Sequence, residues 1–236
     1  SSVHYPECSK KKYDLVKLVL SIIPDYAGID FDLFLINDGC SDDRLDDLLK
    51  NYKPRGFCKS VNYTKRPNKG FPKSLNELLQ KVDSSYTHIC HLDLDVLLPV
   101  YWLKKCCKIL DKESAIGVCG VLVEDYLKFN FSAPIVDAEE STIAAHTPAI
   151  GLACLVFRSE ELKSIGFDES FGNQHVDAYI LHNYLTKGQG IYAILDRGHH
   201  PKEEYESQEF MEQKKKDFNQ ELPKFQETIK KLANKK

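Results

Sequence analysis

The sequence predicts an α/β domain with a mainly parallel central sheet flanked by helices. Three observations support this fold class. Short apolar runs typical of buried strands alternate with segments of helical periodicity over the first two thirds of the 236-residue chain. Several of these runs end in polar clusters, as strands do where an open α/β sheet binds a ligand. The composition, with 42% hydrophobic and 28% charged residues, is ordinary for a globular protein.

The first strand and the first clear helix follow each other directly. FDLFLIN at 31–37 is an apolar run of strand length, and SDDRLDDLLKNY comes after it. Ser41 is the expected helix cap, and Asp42 and Asp43 suit the positive end of the helix. The apolar stripe of this helix consists of Leu45, Leu48 and Leu49.

The same alternation continues through the middle of the chain. FCKSVNY at 57–63 predicts a second strand, and GFPKSLNELLQKV predicts a helix with Pro72 in its first turn. THICHL at 87–92 predicts a buried strand, after which a helix begins just past Pro99. AIGVCGVLV at 115–123 predicts a further strand.

The last third contains a stretch without periodicity. Residues 124–150 predict a long irregular connection, which in a compact domain is often functional. GLACLVF at 151–157 predicts a strand, VDAYILHNYLTKG a helix that Gly188 ends, and GIYAIL a strand that closes the sheet. The inward residues expected of that helix are Ala178, Leu181 and Leu185.

We expect one domain over residues 1–201 and a charged helical tail over 202–236. The tail carries a weak helical stripe with which it would pack on the domain. The members of this stripe are Phe210, Phe218, Phe225 and Ile229.

Charge and cysteine content restrict the function classes. The net charge of −3 and the absence of a basic-aromatic array argue against a nucleic-acid partner. No apolar stretch reaches the 18 or more residues of a membrane span. Eight cysteines without a Cys-x-x-Cys pair favour reduced thiols and a cytoplasmic location.

Three polar clusters follow predicted strands. Asp38 ends the first in NDGCSDD, Asp93 and Asp95 form the second in DLD, and His199 and His200 form the third in GHH. Two carboxylates on a turn are hard oxygen ligands that suit Mg²⁺ or Mn²⁺ holding a diphosphate. The buried strand would hold the turn rigid, and the carboxylates at its end would bind the ion.

The order of the blocks resembles the GT-A glycosyltransferases, closest to family 2. The blocks are SSVHYPE, FDLFLINDGCSDD, RPNKGFPKSLNELL, HICHLDLDVLLPVYWL, GLACLVFRSEELKSIGFDESFG and HVDAYILHNYLTKG. The resemblance covers roughly residues 2–200 and implies a GT-A fold, a nucleotide diphosphate sugar as donor and a hydroxyl acceptor. A UDP-sugar is the first expectation for the donor.

The resemblance also implies a donor site. Asp38 matches the aspartate with which the family recognises the nucleotide base, and Pro6 and Glu7 lie where the loop after the first strand meets that base. Lys73 lies in the helix-start block that approaches the nucleotide. Asp93 matches the residue near the ribose or the ion.

The same resemblance implies a metal site and a general base. Asp95, with Asp93, matches the metal-binding Asp-x-Asp, and His199 or His200 lies where some members add a histidine ligand. Asp177 matches the aspartate of the family's Glu-Asp pair, which acts as the base in inverting members. Beside these residues, Trp102 and His175 are candidates for acceptor contacts, Trp102 because an indole ring can stack on a sugar.

Some positions depart from the family pattern and leave alternatives open. Val176 replaces the glutamate of Glu-Asp, so a retaining transferase or a catalytically silent nucleotide-sugar or glycan-binding module also fits. A sugar-nucleotide nucleotidyltransferase would need a glycine-rich loop after the first strand, and HYPECSKKKY contains no glycine.

Overall fold

The computed structural model describes residues 2–3, 9–123, 132–137, 142–147, 150–171, 175–199, 201 and 208–233. Strands and helices alternate along most of this chain, as the sequence predicts. The strands are β1 (Ser2–Val3), β2 (Phe31–Asp38), β3 (Cys58–Arg66), β4 (His88–Leu92), β5 (Ile116–Val123), β6 (Ser132–Asp137), β7 (Thr142–His146), β8 (Cys154–Arg158) and β9 (Gly190–Gly198). The helices are α1 (Lys10–Tyr26), α2 (Asp43–Lys50), α3 (Phe71–Leu79), α4 (Trp102–Lys112), α5 (Ser159–Ile165), α6 (Val176–Thr186) and α7 (Gln208–Ala233).

The sheet is mixed, which corrects the expectation of a mainly parallel one. The strands β1, β2 and β3 pair in parallel, and β5 pairs in parallel with β9. The strand β8 is antiparallel to both of its neighbours, and β7 is antiparallel to β6 and β9. The described strands form two sheets, a parallel one of order β1-β2-β3 and a mixed one of order β4-β8-β5-β9-β7-β6. The strand β9 lies inside the second sheet and does not close it at an edge.

Helices cover both faces of the strands. Alternate residues of β5 belong to two apolar clusters: Cys119 and Val121 to one, Val118 and Leu122 to the other. The first cluster includes side chains of α1, α2 and α4, and the second includes side chains of α3, α5 and α6. Because side chains alternate across a strand, the core has three layers with the sheet in the middle.

The described part of residues 124–150 contains more regular structure than the sequence suggests. The strands β6 and β7 pair with each other in an antiparallel manner, and β7 joins β9 through Ala144 and Ile194. In β7 the exposure of the side chains does not follow their polarity, because the polar Thr142 is buried while Ile143 is 45% exposed. The sequence pattern therefore does not predict this strand.

Two local predictions are wrong in detail. Asp42, and not Ser41, caps α2, because its carboxylate accepts hydrogen bonds from the backbone N–H groups of Arg44 and Leu45. In α6, Leu185 is exposed, while Ile180 and Tyr184 are buried in the core. The inward face of α6 is therefore rotated from the expected one. None of the helices in the described ranges is long and apolar enough to cross a membrane.

Candidate functional site

The carboxylate of Asp38 lies at the C-terminal end of β2 and organises the loop that follows β3. One oxygen accepts hydrogen bonds from Arg66 Nε and the Lys69 backbone N–H, both at 3.0 Å, and the other accepts one from Ser74 Oγ at 2.7 Å. The residue is 1% exposed. Both oxygens thus hold the loop after β3 in place, and the contact between Asp38 and a nucleotide base stays a prediction.

Arg66 is the residue of this network that sequence reasoning missed. Its guanidinium bonds Asp38 and the hydroxyl of Ser74, and it also forms an ion pair with Glu77 of α3. Arginine suits this place because its planar guanidinium donates in several fixed directions. Its role could have been predicted from its position, because Arg66 follows the strand predicted at 57–63 and begins the RPNKG segment.

The turn after Asp38 is fixed by Asn37. Its side-chain oxygen accepts a hydrogen bond from Cys40 N at 2.8 Å, and its amide nitrogen donates to Asp46 of α2 at 2.7 Å. Burial raises the pKa of Asp46, but hydrogen bonds from Tyr63, Lys65 and Asn37 outweigh this and lower it. The carboxylate therefore stays charged and ties β2, β3 and α2 together at the site.

Position 39 requires glycine for two reasons, namely its positive φ angle and the close approach of Asn68. Gly39 has φ 85°, and a Cβ there would lie 2.6 Å from the backbone nitrogen of Asn68. Gly70 has a similar φ of 91°, but a Cβ there would meet nothing within 4 Å. We expect Gly70→Ala to cost about 1–2 kcal/mol from backbone strain, and Gly39→Ala about 1–3 kcal/mol more from the clash.

Urea unfolding of both variants, followed by circular dichroism, measures this difference. If Gly39→Ala and Gly70→Ala lowered the free energy of unfolding equally, this would contradict the close approach of the NDG turn to Asn68.

Asp93 and Asp95 lie in the turn that follows β4. The Asp93 backbone N–H donates to the carbonyl of Ala153 at 2.9 Å, and its side chain is 36% exposed. His91 Nε2 lies 3.7 Å from Asp93 Oδ1. Burial lowers the pKa of His91 to about 3, so the imidazole is neutral at pH 7 and this contact is not an ion pair. Asp93 therefore presents a partly exposed carboxylate at the strand end.

The carboxylate of Asp95 lies inside the protein, against an ammonium group. Lys12 Nζ of α1 forms a hydrogen-bonded ion pair with Asp95 Oδ2, and the two side chains are 7% and 8% exposed. Sequence reasoning missed Lys12. Its burial could have been predicted from helical spacing, because Lys12 lies one turn before Val16 and two turns before Leu20 on the buried face of α1.

His199 lies beside the same turn, and its role as a metal ligand stays a prediction. Its backbone exchanges two hydrogen bonds of 2.8 Å with Leu97, two residues after Asp95. The imidazole is on an exposed residue. The expected sites at His200, Pro6 and Glu7 lie outside the described residues.

The donor set of this turn suits a divalent ion of the Mg²⁺ or Mn²⁺ type. Two carboxylates, Asp93 and Asp95, are hard oxygen ligands, and such ions often take only one or two carboxylates besides substrate phosphates and water. No cluster of three or more His, Cys, Asp or Glu side chains is arranged for a metal within the described ranges. The carboxylates of Asp93 and Asp95 therefore suit such an ion chemically. In this structure Asp95 forms an ion pair with the ammonium of Lys12.

Two predicted acceptor contacts lie on side chains that the protein covers, and they stay predictions. Trp102 is 2% exposed and belongs to the apolar core under α4. His175 is 6% exposed. The centroid of its ring lies 4.8 Å from that of Phe225, on which it stacks, and 4.2 Å from that of Phe218, so α7 covers this side chain.

The remaining predicted side chains occupy accessible places. Asp177 lies in the first turn of α6, is partly buried, and its Oδ1 accepts a hydrogen bond from Ala178 N at 2.7 Å. Lys73 is exposed in the first turn of α3, next to the Ser74 that bonds Asp38.

Comparisons with known proteins identify the family and the fold. Residues 12–152, more than half of the chain, match the family model described as glycosyl transferase family 2. This stretch includes the network around Asp38 and the turn with Asp93 and Asp95. No curated protein matches the sequence of the chain.

Two solved structures are similar to this fold. One is described as GalNAc-T7 with UDP, GalNAc and Mn²⁺, with a TM-score of 0.54, 15% identity, and coverage of 72% of this chain and 37% of that one. The other is the mannosyltransferase PcManGT from Pyrobaculum calidifontis in complex with GDP-Man and Mn²⁺, with a TM-score of 0.54, 16% identity, and coverage of 80% and 52%. The chain therefore spans about half or less of the length of these two proteins. The likeness confirms the α/β fold as that of GT-A transferases.

Proposed function

Because the chain belongs to glycosyl transferase family 2, we propose that it transfers a sugar from a nucleotide diphosphate donor to a hydroxyl group of a glycan, a lipid-linked sugar or a protein. The observation that carries this proposal is the turn after β4, which contains the partly exposed Asp93 and the buried Asp95 and whose Leu97 pairs with the backbone of His199. A UDP-sugar is our first choice of donor. A GDP-sugar is tested beside it, because the similar mannosyltransferase was solved with GDP-Man.

The donor contacts that we propose start from the exposed side chains. Asp93 would receive the ribose or the ion, and Lys73 would approach the nucleotide, since a flexible ammonium is an ordinary partner of phosphate groups. Pro6 and Glu7 remain proposed contacts of the base. Asp38 would act through the loop that it holds, by fixing Lys69 and Arg66 in place.

Asp93 and Asp95 would hold a divalent ion, Mn²⁺ or Mg²⁺, and His199 or His200 would add a ligand. When bound, such an ion neutralises charge that develops on the departing nucleotide diphosphate. The protein would orient the donor through these carboxylates.

Asp177 is the general base that we propose for an inverting, hexosyl-transferring reaction. An acceptor hydroxyl is a poor nucleophile, and a carboxylate within hydrogen-bond reach removes its proton as the new bond to the anomeric carbon forms. The bond between that carbon and the diphosphate oxygen breaks in the same in-line displacement. Inversion follows because the acceptor attacks the face opposite the leaving group.

The function is tested by incubating the protein with a panel of UDP-, GDP- and dTDP-sugars, with and without Mn²⁺, and measuring the release of nucleotide diphosphate. We expect slow, metal-dependent release from one donor and its loss in the Asp93→Asn variant. The matched control is Asp111→Asn, whose side chain is 66% exposed near the end of α4. It should behave as the wild type.

The panel also separates the alternatives. Metal-dependent donor binding without release, even with an acceptor screen, would favour a silent nucleotide-sugar-binding module. Neither binding nor release of any nucleotide sugar would contradict the proposal.

A further inference from the structure

The ion pair between Lys12 and Asp95 connects two parts of the chain that are 83 residues apart. Lys12 lies in the first turn of α1, where the hydroxyl of Ser9 accepts a hydrogen bond from its backbone N–H at 3.2 Å. Asp95 lies in the turn where we propose that a divalent ion binds. Both side chains are almost fully buried, so water screens the pair only weakly.

An ammonium and a divalent ion compete for the same carboxylate. Lys12 Nζ bonds directly to Oδ2 of Asp95. A metal ion coordinated by that oxygen would face a positive charge within a few ångströms, and like charges at that distance repel strongly where solvent is excluded. Metal binding through Oδ2 therefore requires that the ammonium leave it.

We propose that Lys12 is an internal competitor of the divalent ion at the turn between Asp93 and Asp95. In the absence of the ion, the ammonium neutralises the buried carboxylate and holds the turn against α1. The ion binds only by displacing it. Metal affinity in this chain is then set by the strength of the ion pair as well as by the ligands. This inference rests on the proposed function in one respect, namely that an ion binds at this turn.

The test is a titration of the full chain with Mn²⁺ in the absence of nucleotide, in which electron paramagnetic resonance measures the free ion. We expect Lys12→Met to bind Mn²⁺ about tenfold or more tightly than the wild type, because a repelling charge beside the ligand is removed. Lys11→Met is the matched control, since it removes the same charge from an exposed neighbour in the same helical turn. It should leave the affinity nearly unchanged.

Two further variants locate the effect. Lys12→Arg keeps the charge and should bind Mn²⁺ as weakly as the wild type. Adding Asp95→Asn to Lys12→Met should abolish the gain in affinity, because the ion then lacks its ligand. Circular dichroism shows whether each variant is folded, and Lys12→Gln replaces Lys12→Met if the latter is not.

Equal or weaker Mn²⁺ binding in Lys12→Met, or a gain that survives Asp95→Asn, would overturn the competition. Failure of the proposed function is seen separately, as the absence of nucleotide-sugar binding in the donor panel. The Mn²⁺ titration needs neither a donor nor turnover.

Discussion

Replacing Asp95 by alanine is expected to lower the free energy of unfolding by about 3–5 kcal/mol, because it removes the carboxylate that forms an ion pair with the buried ammonium of Lys12. Both side chains of this pair are less than a tenth exposed. The attraction between them is offset in the folded protein by the cost of removing two charges from water. When Asp95 is replaced, the desolvation cost of the Lys12 ammonium remains, but its attraction to the carboxylate is lost.

The double variant Lys12→Met with Asp95→Leu separates these two contributions. Apolar side chains of similar size carry no desolvation cost, so we expect its stability to return to within about 1–2 kcal/mol of the wild type. The measurement is urea unfolding of the wild type, the two single variants and the double variant.

The exposed pair of Lys59 and Asp30, with side chains 55% and 65% exposed, provides the control. Removing Asp30 should cost at most about 1 kcal/mol, as is usual for ion pairs in water. If Asp95→Ala costs no more than Asp30→Ala, Asp95 is not buried against Lys12 in solution.

Asp177→Asn is expected to lower the rate of sugar transfer by about 10²–10⁴-fold, which is the usual contribution of a general base. The amide keeps the shape of the side chain but cannot accept the proton of the acceptor hydroxyl. Donor affinity should stay unchanged, because we place no donor contact at Asp177. The rate is measured as nucleotide diphosphate release under donor saturation, with the donor found in the panel.

Asp25→Asn is a matched control, since this carboxylate is 56% exposed and pairs with Arg55 near the N-terminal ends of β2 and β3, whereas the site lies at their C-terminal ends. A full transfer rate in Asp177→Asn would show that another group acts as the base, or that the reaction is retaining. That outcome would give weight to Val176, which replaces the acidic residue expected before Asp177.

The coverage of His175 by α7 bears on where an acceptor enters. The rings of Phe218 and Phe225 lie against the imidazole, and His175 Nε2 is 3.1 Å from the carbonyl of Phe218. The first turn of α6, which carries Asp177, therefore begins directly beside α7. An acceptor that reaches Asp177 has to approach from a side that this helix leaves open.

Much of the fold follows from local patterns in the sequence. The apolar run at 88–92, the cysteine-containing stripe of α4 and Pro72 in the first turn of α3 all form the elements that their periods and caps predict. Gly188 adopts φ 78° directly after the end of α6, as a residue without a side chain can. These features depend on neighbours a few residues away, so a single sequence contains them.

The direction of each strand and the partners of the buried charges were decided by tertiary structure. Nothing within β8 indicates that it runs antiparallel between β4 and β5. The sequence alone indicated Asp38 and Asp95 as site residues, but not that Arg66 and Lys12 neutralise them. In the sequence, Lys12 only interrupts the apolar stripe of α1. The tertiary structure explains it by bringing the carboxylate of Asp95 against its ammonium group. The physical reason is that burial makes an unpaired charge costly, so the fold has to supply a partner from wherever the chain passes.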